Sequence, residues 1–224
     1  MKRILILGLA ALLFTACGCQ QTPTAEPTST PVVHGTEIVL PAPDLSRGLT
    51  VGEALQQRRS WREYSVEALS LEELSGVLYA AAGINRPEND HLTAPSALAL
   101  YPIRTYAFFK EGIYRYEAKG HKLVRVAEGN FMAVSGAQPF VAEAALNLVY
   151  VADLSVYAGR PIAPEKARYL CGQDAAGYAE NVNVYTAGVG MRSITRGSAS
   201  PELLKTLSLD EERYFFALAQ SVGK

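Results

Sequence analysis

Residues 58–62 read Arg-Arg-Ser-Trp-Arg, which places three guanidinium groups and a hydroxyl within five positions. Just before them, Thr50 and Glu53 stand at capping-box spacing, and Ala54-Leu55-Gln56-Gln57 continue as good helix formers. Arg58 and Arg59 therefore close a short helix, where cations complement the helix macrodipole without needing a ligand. That explanation does not reach Ser60 and Arg62, which lie beyond the expected helix end. A planar donor fork suits a phosphate dianion, and the same donor can hold negative charge on a carbonyl or ring nitrogen.

Working outward, the chain before this motif divides in two. Lys2 and Arg3 precede an apolar run from Ile4 to Phe14, too short to span a bilayer and laid out like a secretory signal. It runs into Thr15-Ala16-Cys17, which resembles the lipobox of bacterial lipoproteins, although Phe14 replaces the usual leucine. Residues 1–16 are thus expected to be a signal peptide, with lipid attached at Cys17 and the protein exported to the periplasm or cell surface. Plain secretion, or processing that leaves Cys19 at the new terminus, are the alternatives. Residues 17–37 are rich in Thr and Pro and poor in large apolar side chains, so they read as a flexible tether. Residues 38–224 remain, 187 residues, a length that suits one domain.

Composition narrows the partners. The whole chain carries 21 basic and 22 acidic residues, and loss of Lys2 and Arg3 with the signal makes the balance more acidic still. Such a surface does not suggest nucleic acid binding. With Cys17 and Cys19 near the anchor, only Cys171 remains in the domain, so no disulfide framework is expected. His34, His91 and His121 lie far apart without metal-ligand spacing, and no metal site is expected.

The domain itself mixes two periodicities. Ser70-Leu71-Glu72-Glu73 is a second capping signature, leading into Leu74, Val77, Leu78 and Ala81 at helical spacing and stopping at Gly83. Residues 84–95 read as a polar loop. Tyr101–Phe109, Ile113–Glu117 and Lys122–Val126 then form β-prone runs separated by glycine-bearing turns, an antiparallel meander. Leu146–Val151 is apolar enough to be a central strand. Pro164 to about Val189, rich in Ala and Gly, reads as a buried helix. A helix capped by Ser200 and opened by Pro201 precedes a last strand at Arg213–Gln220. Helices and strands do not alternate regularly, so the fold class is α+β, with a central antiparallel sheet flanked by helices.

Two further segments carry chemistry. Thr93-Ala94-Pro95-Ser96-Ala97 is a turn able to present a hydroxyl and backbone N–H groups. Gly188 to Gly197 reads as a small-residue loop carrying Arg192 and Arg196; it lacks the spacing of a dinucleotide fingerprint and follows a helix.

In this order, over roughly residues 38–223, the three segments resemble the nitroreductase family of flavin enzymes. Arg58-Arg59-Ser60-x-Arg62 looks like that family's grip on flavin mononucleotide (FMN), and the Pro95-Ser96 segment before Leu100-Tyr101-Pro102 looks like its second flavin-contacting turn. Asp174 to Val184 is similar to the family's buried dimer-core helix, with Glu180 and Asn183 where glutamine and tyrosine are more usual. Ile194-Thr195-Arg196-Gly197 resembles a branch with a valine-valine-arginine-glycine sequence.

The resemblance implies a homodimer with FMN at the subunit interface. Arg58 and Ser60 would hold phosphate and ribityl oxygens with Arg59 nearby, and Arg62 would lie against the N1–C2=O edge. Pro95 and Ser96 would line the ring or ribityl chain, and backbone groups of Ser193, Thr195, Arg196 and Gly197 would face N5. Relatives place basic phosphate ligands after the last core strand; here only Lys224 is available, with Arg196 as a further candidate. The implied activity is a ping-pong hydride exchange through flavin N5 to a nitroaromatic, quinone or similar acceptor, with NAD(P)H as the family's default donor and no protein nucleophile. An exported enzyme would seldom meet NAD(P)H. A SagB-like dehydrogenase, resembling the flavin oxidases of azoline-containing peptides, and a flavin-binding electron-transfer lipoprotein are therefore the alternatives.

Overall fold

The computed structural model describes residues 35–224, so the signal sequence, Cys17, Cys19, His34 and nearly all of the tether lie outside the described residues. The elements in chain order are β1 (Glu37–Val39), α1 (Val51–Gln57), α2 (Leu71–Ala82), β2 (Ile84–Arg86), β3 (His91–Leu92), β4 (Ile103–Phe108), β5 (Gly112–Glu117), β6 (Lys122–Glu128), α3 (Phe140–Glu143), β7 (Leu146–Asp153), α4 (Pro164–Gly188), β8 (Arg192–Arg196), α5 (Leu203–Thr206) and β9 (Tyr214–Gly223). Seven strands form one sheet in the order β1-β6-β5-β4-β7-β9-β8, with every neighbouring pair antiparallel. The α+β class and the meander β4-β5-β6 are as the sequence leads one to expect.

Both capping boxes form. Thr50 and Ser70 accept from the N–H of Glu53 and Glu73, whose carboxylates accept in return from the cap backbones. Each closes two helix-end donors that would otherwise need water. Strand β7 is buried along all eight residues because α4 covers one face and the segment around Met132, Leu203 and Leu207 covers the other. Cutting Leu148 back to Ala would cost roughly 2–5 kcal/mol, the range for a buried leucine in a core that only partly collapses. Helix α4 carries few large apolar residues, so its small side chains let it lie close to the sheet and to α2, with Ala175, Ala179 and Val182 fully covered.

Four boundaries differ from the sequence expectation. The folded body starts before residue 38, since Thr36 O already accepts from Arg125 N–H at 2.8 Å and Glu37 pairs with Val124. The polar stretch 84–95 holds a short ribbon, β2–β3. Ser200 and Pro201 precede α5 rather than open it, because the helical turns begin only at Leu203. Residues 192–196 are not a loop: β8 pairs with β9 over five positions and forms the sheet edge. Glycines on both sides and the polar Arg-Ser-Thr-Arg composition conceal that strand in the sequence. No helix among the described residues is long and apolar enough to cross a membrane.

Candidate functional site

Arg58 caps α1 with φ −56° and ψ 126°, so the chain leaves the helix in an extended direction. Its anchor is the sheet edge. Ser60 forms a parallel bridge with Ser193, and Trp61 N–H donates to Ser193 O at 3.0 Å. Further on, Ser65 N–H donates to Lys224 O at 2.8 Å, and Tyr64 O–H reaches Trp61 O at 3.1 Å. Gly223 is required here: a Cβ at that position would sit 2.7 Å from Tyr64 Cδ1. On the other side of α1, Leu49 N–H donates to Gly188 O at 2.9 Å, with Gly48 at φ +103° making the close approach to α4 possible. The arginine segment is thus a strap fastened to β8, β9 and the end of α4.

Trp61 organises the guanidinium groups. Arg59 lies 5.2 Å and Arg192 4.7 Å from its ring centroid, and Arg192 Nη1 donates to Glu63 O at 2.8 Å. Arg58, Arg59 and Arg62 are exposed and Arg192 is half-buried. None of the four is in a salt bridge among the described residues, and neither are Arg47, Arg86, Lys110, Arg160, Lys166 and Arg168, so it is the grouping of these arginines rather than their lack of partners that marks the place. Three guanidiniums on the pinned strap and that of Arg192 on β8, none in a salt bridge among the described residues, form a standing positive field. Only Glu63 brings an opposite charge within the strap itself.

The remaining expected residues divide into those committed to the fold and those at a distance. Arg196 is 4% exposed; its Nη1 donates to Ser135 O at 2.7 Å and its Nη2 to Asn147 Oδ1 at 3.2 Å. Burial lowers its pKa from the usual arginine value to about 10. Lys224 holds Glu67 at 2.6 Å and Glu73 at 3.2 Å, bonds that raise its pKa and use its charge to tie the C-terminus to the start of α2. Ser193 Oγ donates to Asn183 Oδ1 at 3.1 Å, and Thr195 Oγ1 accepts from Asn183 Nδ2 at 3.1 Å. Gly197 is exposed at the strand end. Both side chains of Arg196 and Lys224 are therefore already occupied by protein partners.

Pro95 and Ser96 stand elsewhere. Ser96 is tied to Asp174, half-way along α4, whereas Ser60 and Trp61 are tied to Ser193, whose hydroxyl meets Asn183 and Thr186 further along the same helix. Nine residues of helix separate Asp174 from Asn183 and twelve separate it from Thr186, roughly 14–18 Å at 1.5 Å per residue. The single chain does not bring the two groups together.

Two contributors escape a sequence reading. Trp61 has only the signal of a lone Trp among arginines. Asn183 is the second: its Oδ1 also accepts from Gln220 Nε2 at 2.6 Å, and Gln220 Oε1 accepts from Tyr150 O–H at 2.9 Å. This buried network fixes β8 and β9 against α4, and every amide position in it has a partner. His121 is held by Ser75 and Tyr116, each at 2.7 Å. No group of three or more His, Cys, Asp or Glu among the described residues is placed to hold a metal ion.

Comparison with known proteins gives this geometry a family. A family model described as the nitroreductase family matches residues 55–224. A protein of Methanocaldococcus jannaschii named as a nitroreductase is 30% identical over 178 residues, covering 73% of this chain and 86% of that one. A Ralstonia eutropha protein, also named as a nitroreductase, superposes with a TM-score of 0.79 at 32% identity, covering 87% of this chain and 92% of that chain. A Desulfovibrio desulfuricans protein solved in complex with FMN shares the fold at a TM-score of 0.55 and 22% identity, over 77% and 84% of the two chains. With the family model matched over residues 55–224 and a relative 30% identical over most of the chain, this chain belongs to the nitroreductase family.

Proposed function

We propose that the protein is an FMN-dependent oxidoreductase that passes a hydride from a donor to an acceptor, one after the other in the same cleft. The observation that carries this reading is the grouping of Arg59 and Arg192 on Trp61 with Arg58 and Arg62 in the same short segment, none in a salt bridge among the described residues and the segment pinned to β8 at Ser60 and Trp61. The donor set fits FMN. A phosphate dianion finds planar forks and the Ser60 hydroxyl, and Arg62 is a free cation for the ring edge on which negative charge gathers. Bound there, FMN supplies a two-electron centre at N5, and the protein needs no nucleophile of its own.

Arg58 and Ser60 hold the phosphate end, Arg59 and Arg192 fix Trp61 beside it, and the edge of β8 from Ser193 to Gly197 borders the ring. Arg196 acts from within the sheet by keeping β8 in place. A homodimer completes the site, because Pro95 and Ser96 are anchored far from the strap in one chain and a second copy can bring its own turn across. Exposed apolar side chains support this: Leu45, Val51 and Leu55 stand on and around α1, beside the strap, each more than half exposed. A surface of that kind is normally covered by a partner.

The lipoprotein-like Ala16-Cys17 sequence favours an enzyme anchored to the bacterial envelope through lipid at Cys17. There a hydride drawn from an organic or peptide substrate, as in a SagB-like dehydrogenase, replaces NAD(P)H. Steady-state kinetics of the purified protein with FMN test the reading: parallel double-reciprocal lines with NADPH and a quinone support ping-pong exchange. A yellow protein that nicotinamides fail to bleach moves the donor to the organic class, and intersecting lines overturn the shared cleft.

A further inference from the structure

Asp174 lies in the middle of α4, 5% exposed, and makes no salt bridge among the described residues. Its carboxylate is spent on one turn. Ser96 Oγ–H donates to Oδ2 at 2.5 Å and Ala97 N–H donates to Oδ1 at 3.2 Å. Ser96 Oγ in turn accepts from Tyr101 N–H at 2.8 Å. The carboxylate thus holds the start of the segment directly and its end, Tyr101, through the Ser96 hydroxyl.

Within that segment Leu98, Ala99 and Tyr101 have φ of 56°, 53° and 47°. These are left-handed conformations that residues with a Cβ adopt rarely and singly, so three in four positions persist only when the surroundings over-determine them. Packing reaches Leu100 and Tyr101, which meet the core and the His91 ring, while Leu98 is 66% exposed. The bonds to Asp174 fix the start of the segment, and the Ala99 and Leu100 N–H groups close it onto Ser96 O and Ala97 O. A buried carboxylate without a cation is itself unfavourable, and burial raises the Asp174 pKa above the usual aspartate value. Two unfavourable features, the lone carboxylate and the strained backbone, thus coincide at one turn.

We infer that Asp174 is a positioning residue for the cofactor pocket. It holds the Pro95–Tyr101 turn in a strained shape, with the Ser96 hydroxyl drawn inward and Pro95 and the outer backbone of the turn left to face the flavin. This rests on the FMN reading above. It also assigns Ser96 a role distinct from direct contact: its hydroxyl is occupied by Asp174 and Tyr101, so it shapes the turn rather than bonding the cofactor.

The test uses Asp174→Ala, Asp174→Asn and Ser96→Ala in the full-length protein. Amide hydrogen exchange without FMN reads the turn alone, and FMN affinity with the visible circular dichroism of bound flavin reads the pocket. In Asp174→Ala the amides of Ala97 and Tyr101 are expected to exchange at least about tenfold faster while those of β7 stay unchanged, since local opening is governed by local bonds. FMN should bind about tenfold more weakly with an altered dichroism band, and Asp174→Asn, which keeps one acceptor, should fall between. If Asp174→Ala fails to fold, Asn and Ser96→Ala carry the same comparison with smaller shifts. Unchanged exchange at 97–101 overturns the clamp. Faster exchange with unchanged FMN affinity and dichroism overturns the positioning role. Wild-type protein that binds no FMN at all removes the underlying reading and this inference with it.

Discussion

Arg58 and Arg196 both stand in candidate phosphate-binding segments of the sequence, but Arg58 is exposed and Arg196 is buried under the sheet edge. Consider Arg196→Ala first. The guanidinium lies under the sheet edge, and its loss leaves Ser135 O without the 2.7 Å bond and Asn147 Oδ1 with only Ser221 Oγ at 2.5 Å. An unpaired buried carbonyl costs about 1–3 kcal/mol, and the void left by the side chain adds to it. Burial of the cation was itself unfavourable, as its lowered pKa of about 10 indicates, and removing it returns part of that. A net loss of roughly 2–4 kcal/mol lowers the melting temperature by about 10 °C in a domain of this size.

Arg58→Ala should differ in every respect. The side chain is exposed and makes no salt bridge among the described residues, so stability should change by no more than about 0.5 kcal/mol. A lost charge-assisted bond to phosphate, about 1.5–3 kcal/mol, weakens FMN roughly 10- to 150-fold and flattens the salt dependence of binding. The assays are quenching of FMN fluorescence on titration and thermal melts of both variants without FMN. Two results refute the reasoning: Arg58→Ala binding FMN within about twofold of wild type, since that is far below one lost charge-assisted bond, or Arg196→Ala losing FMN at an unchanged melting temperature.

Burial pushes the Asp153 carboxyl up, but bonds from Arg213 and Ser155 and the charge of Arg104 outweigh it and leave the carboxyl well below the usual range. A depressed carboxyl contributes stability above its unfolded pKa of about 3.9 and loses it as pH falls through the folded value, so acid unfolding below about pH 4 should be milder in Asp153→Asn relative to its own neutral stability. At neutral pH that variant should lose about 2 kcal/mol in urea melts, less than a fully buried pair because both arginines reach water. Arg62→Ala should lower the midpoint potential of bound flavin, since a cation near N1 favours the reduced anion; an unaltered potential in a spectroscopic redox titration removes Arg62 from that place. Cys17→Ser should release the protein from the membrane fraction, and retention there on fractionation puts the anchor elsewhere.

What the sequence makes legible is what local chemistry decides. Thr50 with Glu53 and Ser70 with Glu73 announce two helices because a cap bond spans three residues. Leu146 to Val151 announces a central strand because no other environment suits such a run. The strap was legible as chemistry, since Arg58, Ser60 and Arg62 exceed what a helix end needs. Long-range decisions were not legible. Nothing near Arg196 tells that its charge goes under the sheet, where Ser135 and Asn147 receive it from 61 and 49 positions away. Likewise β8 exists because Ser221 and Gln220 pair with Ile194 and Thr195 and because Asn183 reaches across from α4. Asp174 reads as an ordinary polar residue of a helix until the turn it holds, 77 and 78 positions earlier, is seen against it.

The central claim is that the guanidinium strap, completed by a second copy of the chain, holds FMN. Titration of FMN into the purified protein during analytical ultracentrifugation, followed at the flavin absorbance and at 280 nm together, tests it most directly. The account predicts a yellow dimer that sediments with one FMN for each chain. A colourless protein that sediments as a single chain and leaves all added FMN behind contradicts it.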